Sequence, residues 1–154
     1  MSRERAIATA RSYCREGRFL HDLGNRVAVP TESQNRDRLP SCYHYLELFA
    51  DDLAELGFDR RIIDNPTSVG GPYLIARRVE DEALPTLLIY GHGDVVAGME
   101  TRWSGDRSPW TLFVEGDRIY GRGTADNKGQ HTIAALALEA VLATRKSLGY
   151  NVTF

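Results

Sequence analysis

The chain has 154 residues, a net charge of −2, and 42% hydrophobic against 26% charged residues. That length gives one domain with a core of its own, and the composition is that of an ordinary globular protein. A near-neutral charge without a long basic run argues against nucleic acid as a partner, and no apolar stretch approaches membrane-spanning length.

The start, Met1-Ser2-Arg3-Glu4-Arg5-Ala6, mixes charges of both signs and lacks the apolar centre of a secretory signal. Cys14 and Cys42 lie far apart with no CxxC, which predicts free buried thiols in a reducing cytoplasm. Up to about Val29 the chain reads helical, its apolar surface supplied by Ala6, Ala8, Ala10, Phe19, Leu20, Leu23 and Val27, with Gly17 as a candidate break. Pro30 ends that segment, and Thr31-Glu32-Ser33-Gln34-Asn35 is loop chemistry. His21, His44 and Asp51-Asp52 fall on helices among other charges and read as solvated or capping groups. A second helix carries Leu46, Phe49, Leu53 and Leu56 on one face, with Gly57 as its stop. Arg60–Ile63 and Tyr73–Arg77 are strand candidates separated by the turns Asn65-Pro66 and Gly70-Gly71-Pro72.

After the charged turn Glu80-Asp81-Glu82, the run Leu87-Leu88-Ile89-Tyr90 reads as a buried strand. It stops at Gly91-His92-Gly93-Asp94, so it delivers polar groups to its C-terminal edge, where α/β sheets bind ligands. On an extended backbone His92 and Asp94 share a side, where an imidazole can hold a metal while a carboxylate fixes its tautomer. A surface turn is the competing reading. Val95–Trp110 is irregular, and Trp103 and Trp110 are expected to pin it to the domain. Thr111–Val114 and Arg118–Tyr120 flank Glu115-Gly116-Asp117 as a hairpin.

Next comes Gly121-Arg122-Gly123-Thr124-Ala125-Asp126-Asn127-Lys128-Gly129-Gln130. A dinucleotide fingerprint fails because Asp126 stands where a third small residue is needed, and a Walker loop fails because Lys128 lies between Asn127 and Gly129. The glycines do allow a tight backbone that holds Asp126 at a helix N-terminus, where a capping role is the plain alternative to chemistry. Ile133, Leu136, Ala137, Ala140 and Val141 form the following helical face, and Tyr150–Phe154 begins a strand. Helices alternating with strands give an α/β, layered helix–sheet–helix fold.

The order of these motifs, strand-His92-x-Asp94, then Trp103, Pro109-Trp110, the hairpin and Gly121–Gly129, resembles the co-catalytic zinc metallopeptidases. That family includes aminoacylase, acetylornithine deacetylase, succinyl-diaminopimelate desuccinylase, glutamate carboxypeptidase and carnosinase-type dipeptidases. Val27-Ala28-Val29-Pro30-Thr31-Glu32-Ser33 resembles its opening motif. The resemblance implies that His92 is a metal ligand, that Asp94 orients His92, and that Asp126 bridges two ions, with a cis peptide at Asp126-Asn127. It implies two zinc ions, with cobalt or manganese as substitutes, a dipeptide or N-acyl amino acid substrate, and a parent compatible with homodimerisation. His131 matches no family ligand and is read as helix surface.

The family's general-base glutamate and its neighbouring glutamate ligand have no counterpart: the only Glu after Asp126 is Glu139, in mid-helix. The later acidic and histidine ligands and the lid or dimerisation domain are also missing. Residues 1–154 are therefore expected to be the N-terminal part of a longer catalytic domain, inactive alone and weak in zinc affinity. The alternative is a truncated non-catalytic product or a binding module that reuses the scaffold, with a sheet edge exposed at Val152–Phe154. A mononuclear hydrolase would need a histidine cluster that four scattered histidines do not supply.

Overall fold

The computed structural model describes residues 2–67 and 70–154. The N-terminal helical segment is two helices, α1 (Ser2–Arg15) and α2 (Arg18–Val27), divided at Gly17, whose φ of 78° is left-handed. Helix α3 (Leu39–Glu55) has Pro40 in its first turn, where a missing N–H costs nothing. It ends at Gly57, with Gly57 N–H on Ala54 O and Phe58 N–H on Leu53 O, the paired bonds of a Schellman stop. Its buried face is Cys42, Tyr45, Phe49, Ala50 and Leu53. Leu46 and Leu56, expected on that face, lie at its margins and are half-buried.

Strands β1 (Asp59–Ile63), β2 (Tyr73–Arg78), β3 (Thr86–Leu88) and β6 (Asn151–Thr153) make one sheet in the order β1-β2-β6-β3, and β4 (Phe113–Glu115) and β5 (Arg118–Tyr120) form the separate hairpin. The β1–β2 and β2–β6 pairs are antiparallel, and β3–β6 is parallel, with Leu87 opposite Val152. Two expectations are overturned here. The run Leu87–Tyr90 is not a buried strand: it forms the sheet's margin, with Leu88 74% and Tyr90 78% exposed. Nor does Val152–Phe154 lie at an edge, because β6 is held between β2 and β3 and Val152 is fully buried. A continuous apolar run suits a strand covered on both faces, but burial depends on what lies beside it.

Helix α4 (Lys128–Arg145) and α3 cover one face of the sheet. Their Phe49, Leu53, Ala135 and Leu138 join Phe58, Ala76, Leu148 and Val152 in the core. Helices α1 and α2 pack on the outer side of α4. With partners on two sides, α4 buries a wide stripe that includes His131, Thr132 and Ala135. His131, expected on the surface, is therefore interior, whereas Ile133, expected in the core, is exposed. Along β2, Ala76 points into this core while Tyr73 and Ile75 stand on the open face. Cys42 is buried as expected, but Cys14 is exposed, and both thiols are free. Among the described residues no helix is long and apolar enough to cross a membrane.

Candidate functional site

The chain leaves β3 through Gly91-His92-Gly93-Asp94, and that segment lies directly on α3 and α4. A side chain on Gly93 would collide with the Tyr45 ring, and one at Gly91 would come within 3.0 Å of His131 and 3.2 Å of the Asn127 carboxamide oxygen. Glycines here let the backbone lie flat on the helices beneath it. The opening loop braces the same segment from the other side. Thr31 donates its hydroxyl to Gly93 O, Ser33 Oγ donates to Asp94 Oδ2 at 2.7 Å, and Glu32 bridges to Val95.

The second polar segment arrives from the hairpin. Gly123, with φ 90°, turns the chain, and Asp126-Asn127 precedes α4 through a cis peptide bond, as the resemblance implies. Asp126 is not the helix cap. That position belongs to Asn127, and the Asp126 carboxylate, 83% exposed, reaches His92 instead. His92 Nε2 and Asp126 Oδ1 are 2.9 Å apart. On the opposite edge of the ring, Nδ1 faces Asp94 O at 3.1 Å and Asp94 Oδ1 at 3.3 Å. Partial burial pulls the His92 pKa down, but the Asp94 carbonyl, the Asp126 carboxylate and both negative charges outweigh it and hold it above the ordinary value.

The structure thus joins all three residues singled out from the sequence: His92, Asp94 and Asp126 form one chain of contacts. With Nδ1 held by Asp94, Nε2 is directed at a carboxylate, and an imidazole nitrogen beside a carboxylate oxygen is a donor set suited to a zinc-type ion. Among the described residues no three His, Cys, Asp or Glu side chains are arranged to hold one ion together, so His92 and Asp126 are at most part of a ligand set. Glu139, the sole glutamate after Asp126, is occupied elsewhere. Its two oxygens accept from the Arg18 guanidinium at 2.6 and 2.7 Å, and Tyr13 Oη donates to it at 3.1 Å.

Beneath the site lies a layer that sequence reasoning missed. Lys128 is fully buried; its Nζ donates to Arg26 O at 2.9 Å and Val29 O at 2.7 Å and sits 4.8 Å from the Tyr45 ring centre. A cation there meets the carbonyls at the end of α2, and burial pushes its pKa down to about 7. His131 contacts Tyr45 Oη through Nε2 and Asn127 Oδ1 through Nδ1, and burial pushes its pKa down to about 3. Burial raises the Tyr45 phenol well above its usual range. The spacing of Asn127, Lys128 and His131 behind Asp126, on a helix N-terminus, was the available signal. Asp52, expected to be solvated, pairs with the buried Arg26, which also reaches Thr132 Oγ1 at 2.9 Å. The tryptophans, expected to pin the loop to the domain, bond within it: Trp103 Nε1–H donates to Gly98 O and Trp110 Nε1–H to Glu100, while the Trp103 ring packs edge-on against Phe113 of the hairpin.

Residues 88–154 match the family described as Peptidase family M20/M25/M40. The chain is 31% identical over 147 residues to Beta-Ala-His dipeptidase of Rattus norvegicus, an alignment that covers 88% of this chain and 30% of that protein. It is 32% identical over 120 residues to acetylornithine deacetylase of Pectobacterium carotovorum, covering 77% of this chain and 30% of the relative. Human carnosine dipeptidase 1 superposes with a TM-score of 0.82 at 25% identity, over 98% of this chain and 33% of that one. The di-peptidase Dug1p of Saccharomyces cerevisiae shares the fold, with a TM-score of 0.83 at 20% identity. The chain therefore spans about 30% of the length of these curated relatives. Its α/β architecture and its sequence agree: over residues 88–154 the chain matches the M20/M25/M40 peptidase family, in the fold of the dipeptidase it resembles.

Proposed function

We propose that residues 1–154 are the N-terminal part of a two-metal catalytic domain that hydrolyses the amide bond of dipeptides or N-acyl amino acids. The observation that carries this reading is the meeting of His92 Nε2 and Asp126 Oδ1, delivered by separate segments, with Asp94 on the far edge of the imidazole. His92 and Asp126 would hold zinc, with cobalt or manganese as substitutes. Ions held there would supply Lewis acidity toward a substrate carbonyl and toward water. This chain's own part is to hold one edge of the site. With Nδ1–H held by Asp94, Nε2 would turn its lone pair to an ion on giving up the proton it shares with Asp126, and Ser33 donates to the Asp94 carboxylate. Asp126, the more exposed of the two, would offer its carboxylate to the ions.

The remaining ligands, the general base and a lid or dimerisation domain would come from chain beyond this segment, in a cytoplasmic and homodimeric parent. The uncovered margin at β3 supports that arrangement, as does a cleft of about 760 Å³ lined by Leu74, Ile75, Leu88, Tyr90 and Phe154. That same exposed strand is the observation behind the second reading, a non-catalytic binding module that pairs with another chain through β3.

Zinc calorimetry on this chain and on a version extended past Phe154, each with and without Asp126→Ala, tests the reading. Tight binding in the extended protein alone, lost with Asp126→Ala, and no peptidase turnover by the 154-residue chain are the expected results. Tight binding that survives Asp126→Ala removes Asp126 from the site. Metal-dependent turnover by this chain alone overturns the division of labour.

A further inference from the structure

The floor under His92 is polar where a core is ordinarily apolar. Tyr45, His131 and Asn127 are all buried, and the hydrophobic cluster around Phe49 and Ala135 begins beside them. Phe49 stacks edge-on against the His131 ring, 4.9 Å between centres. Placing a phenol, an imidazole and a carboxamide there costs free energy unless each finds a partner. Each does, and the partners form a line: Tyr45 Oη to His131 Nε2, His131 Nδ1 to Asn127 Oδ1 at 3.2 Å, and Asn127 Oδ1 to the backbone N–H of His92 at 3.2 Å.

The chemistry of the end groups orders the protons along this line. The Asn127 oxygen can only accept, so it receives both the His92 amide and His131 Nδ1–H. A neutral His131 then has Nε2 as an acceptor, and Tyr45 must donate. The Asn127 amide nitrogen is turned to Gln130 Oε1, which fixes which end of the carboxamide faces His92. The line begins in the core on α3, crosses the first turn of α4, and ends on the residue whose side chain meets Asp126. Gly91 and Gly93 permit the close approach that it requires.

We infer that Tyr45, His131 and Asn127 are positioning residues: a hydrogen-bonded chain, anchored in the core, that sets the height of His92 relative to Asp126. The inference rests on the metal-binding reading above. None of the three touches a reacting atom. A phenylalanine and a leucine could fill the same space, so what the polar chain adds is a fixed place for the His92 backbone.

The test is a Zn²⁺ titration of the 154-residue chain, followed through the ¹⁵N signals of the His92 imidazole, which report even millimolar affinities. Tyr45→Phe, which loses one hydroxyl, and His131→Leu are compared with the unaltered chain, with thermal unfolding recorded for each. Loss of an outer support of this kind weakens binding by about 10-fold or more. The inference predicts such a loss in both variants while they remain folded, a faster-exchanging His92 amide, and recovery in His131→Gln, which restores a donor and an acceptor. Unchanged Zn²⁺ affinity in a folded Tyr45→Phe, with only a lower melting temperature, overturns it. Asp126→Ala separates the two levels. If it leaves the Zn²⁺ response of His92 intact, or if His92 in the unaltered chain ignores millimolar Zn²⁺, the metal reading falls and this inference with it. If it abolishes the response while Tyr45→Phe and His131→Leu bind normally, the positioning inference alone falls.

Discussion

The two sides of the His92 segment are built to different standards. Below it, Tyr45, Lys128, His131 and Thr132 are buried, and each has a named partner within this chain. Above and beside it, Leu88, Tyr90 and the Asp126 carboxylate face outward. The lower layer is closed by this chain itself, and the upper one is an open rim. The difference teaches where stability and chemistry reside: substitutions below the site are felt in folding and, through His92, in binding, whereas substitutions on the rim are felt in binding alone.

The largest expected contrast lies between two leucines. Leu53 is fully buried in the core cluster, so Leu53→Ala should cost about 2–5 kcal/mol, from lost transfer and the cavity left behind. Leu88→Ala on the open strand should stay within about 0.5 kcal/mol. Urea unfolding of both variants measures the pair, and similar losses would show that the β3 margin is covered in solution. Next comes Lys128→Met, which keeps the stem but leaves Arg26 O and Val29 O without their shared donor; about 1–3 kcal/mol is expected. A neutral outcome would mean that water or a shift of the α2 end replaces the ammonium.

A pH series sharpens the same comparison. His131 is held far below its ordinary pKa, down to about 3, with burial as the main cause. In acid the unfolded chain takes up a proton at His131 that the fold refuses. Its contribution is therefore complete above about pH 6.5 and falls as the pH drops toward 3, by at most about 1.4 kcal/mol per unit. His92, on the rim, is shifted the other way, so its contribution is present in acid and lost as the pH rises through its folded pKa. His131→Leu should flatten the acid side of the stability profile. An unchanged slope would assign acid lability to other groups.

These contrasts also explain what could be read from the sequence. The helix break at Gly17, the stop at Gly57 and the hairpin at Gly116 were legible because each depends on local backbone chemistry. His92, Asp94 and Asp126 were legible as a set only through the resemblance to the zinc metallopeptidases, because taken alone His92-x-Asp94 also reads as a surface turn and Asp126 as a helix cap. The strand Leu87–Tyr90 misled because its hydrophobicity says what it can bury against, and the sheet order that leaves it at the margin is a long-range outcome. His131 misled for the reciprocal reason. A histidine one turn into a helix looks solvated until α3 places Tyr45 and Phe49 over it. The face of α4 was misjudged because helices pack against it from a second side, widening the buried stripe beyond one periodic row.

The smallest expected effect decides between the two readings of Asp126. A side chain that caps a helix costs about 0.5–2 kcal/mol when cut to alanine, because a backbone N–H of the first turn loses its acceptor. Here Asn127 holds the N-cap position of α4 without a side-chain capping bond, and the largely exposed Asp126 carboxylate turns away to His92. Exposed pairs of that kind contribute little to folding. Asp126→Ala should therefore leave the urea midpoint of the chain almost unmoved, within about 0.5 kcal/mol, while it removes the Zn²⁺ response of His92. A loss near 1 kcal/mol with the Zn²⁺ response preserved would return Asp126 to the role of a cap. The rim would then be surface like any other, and the contrast between the two sides of His92 would carry no functional meaning.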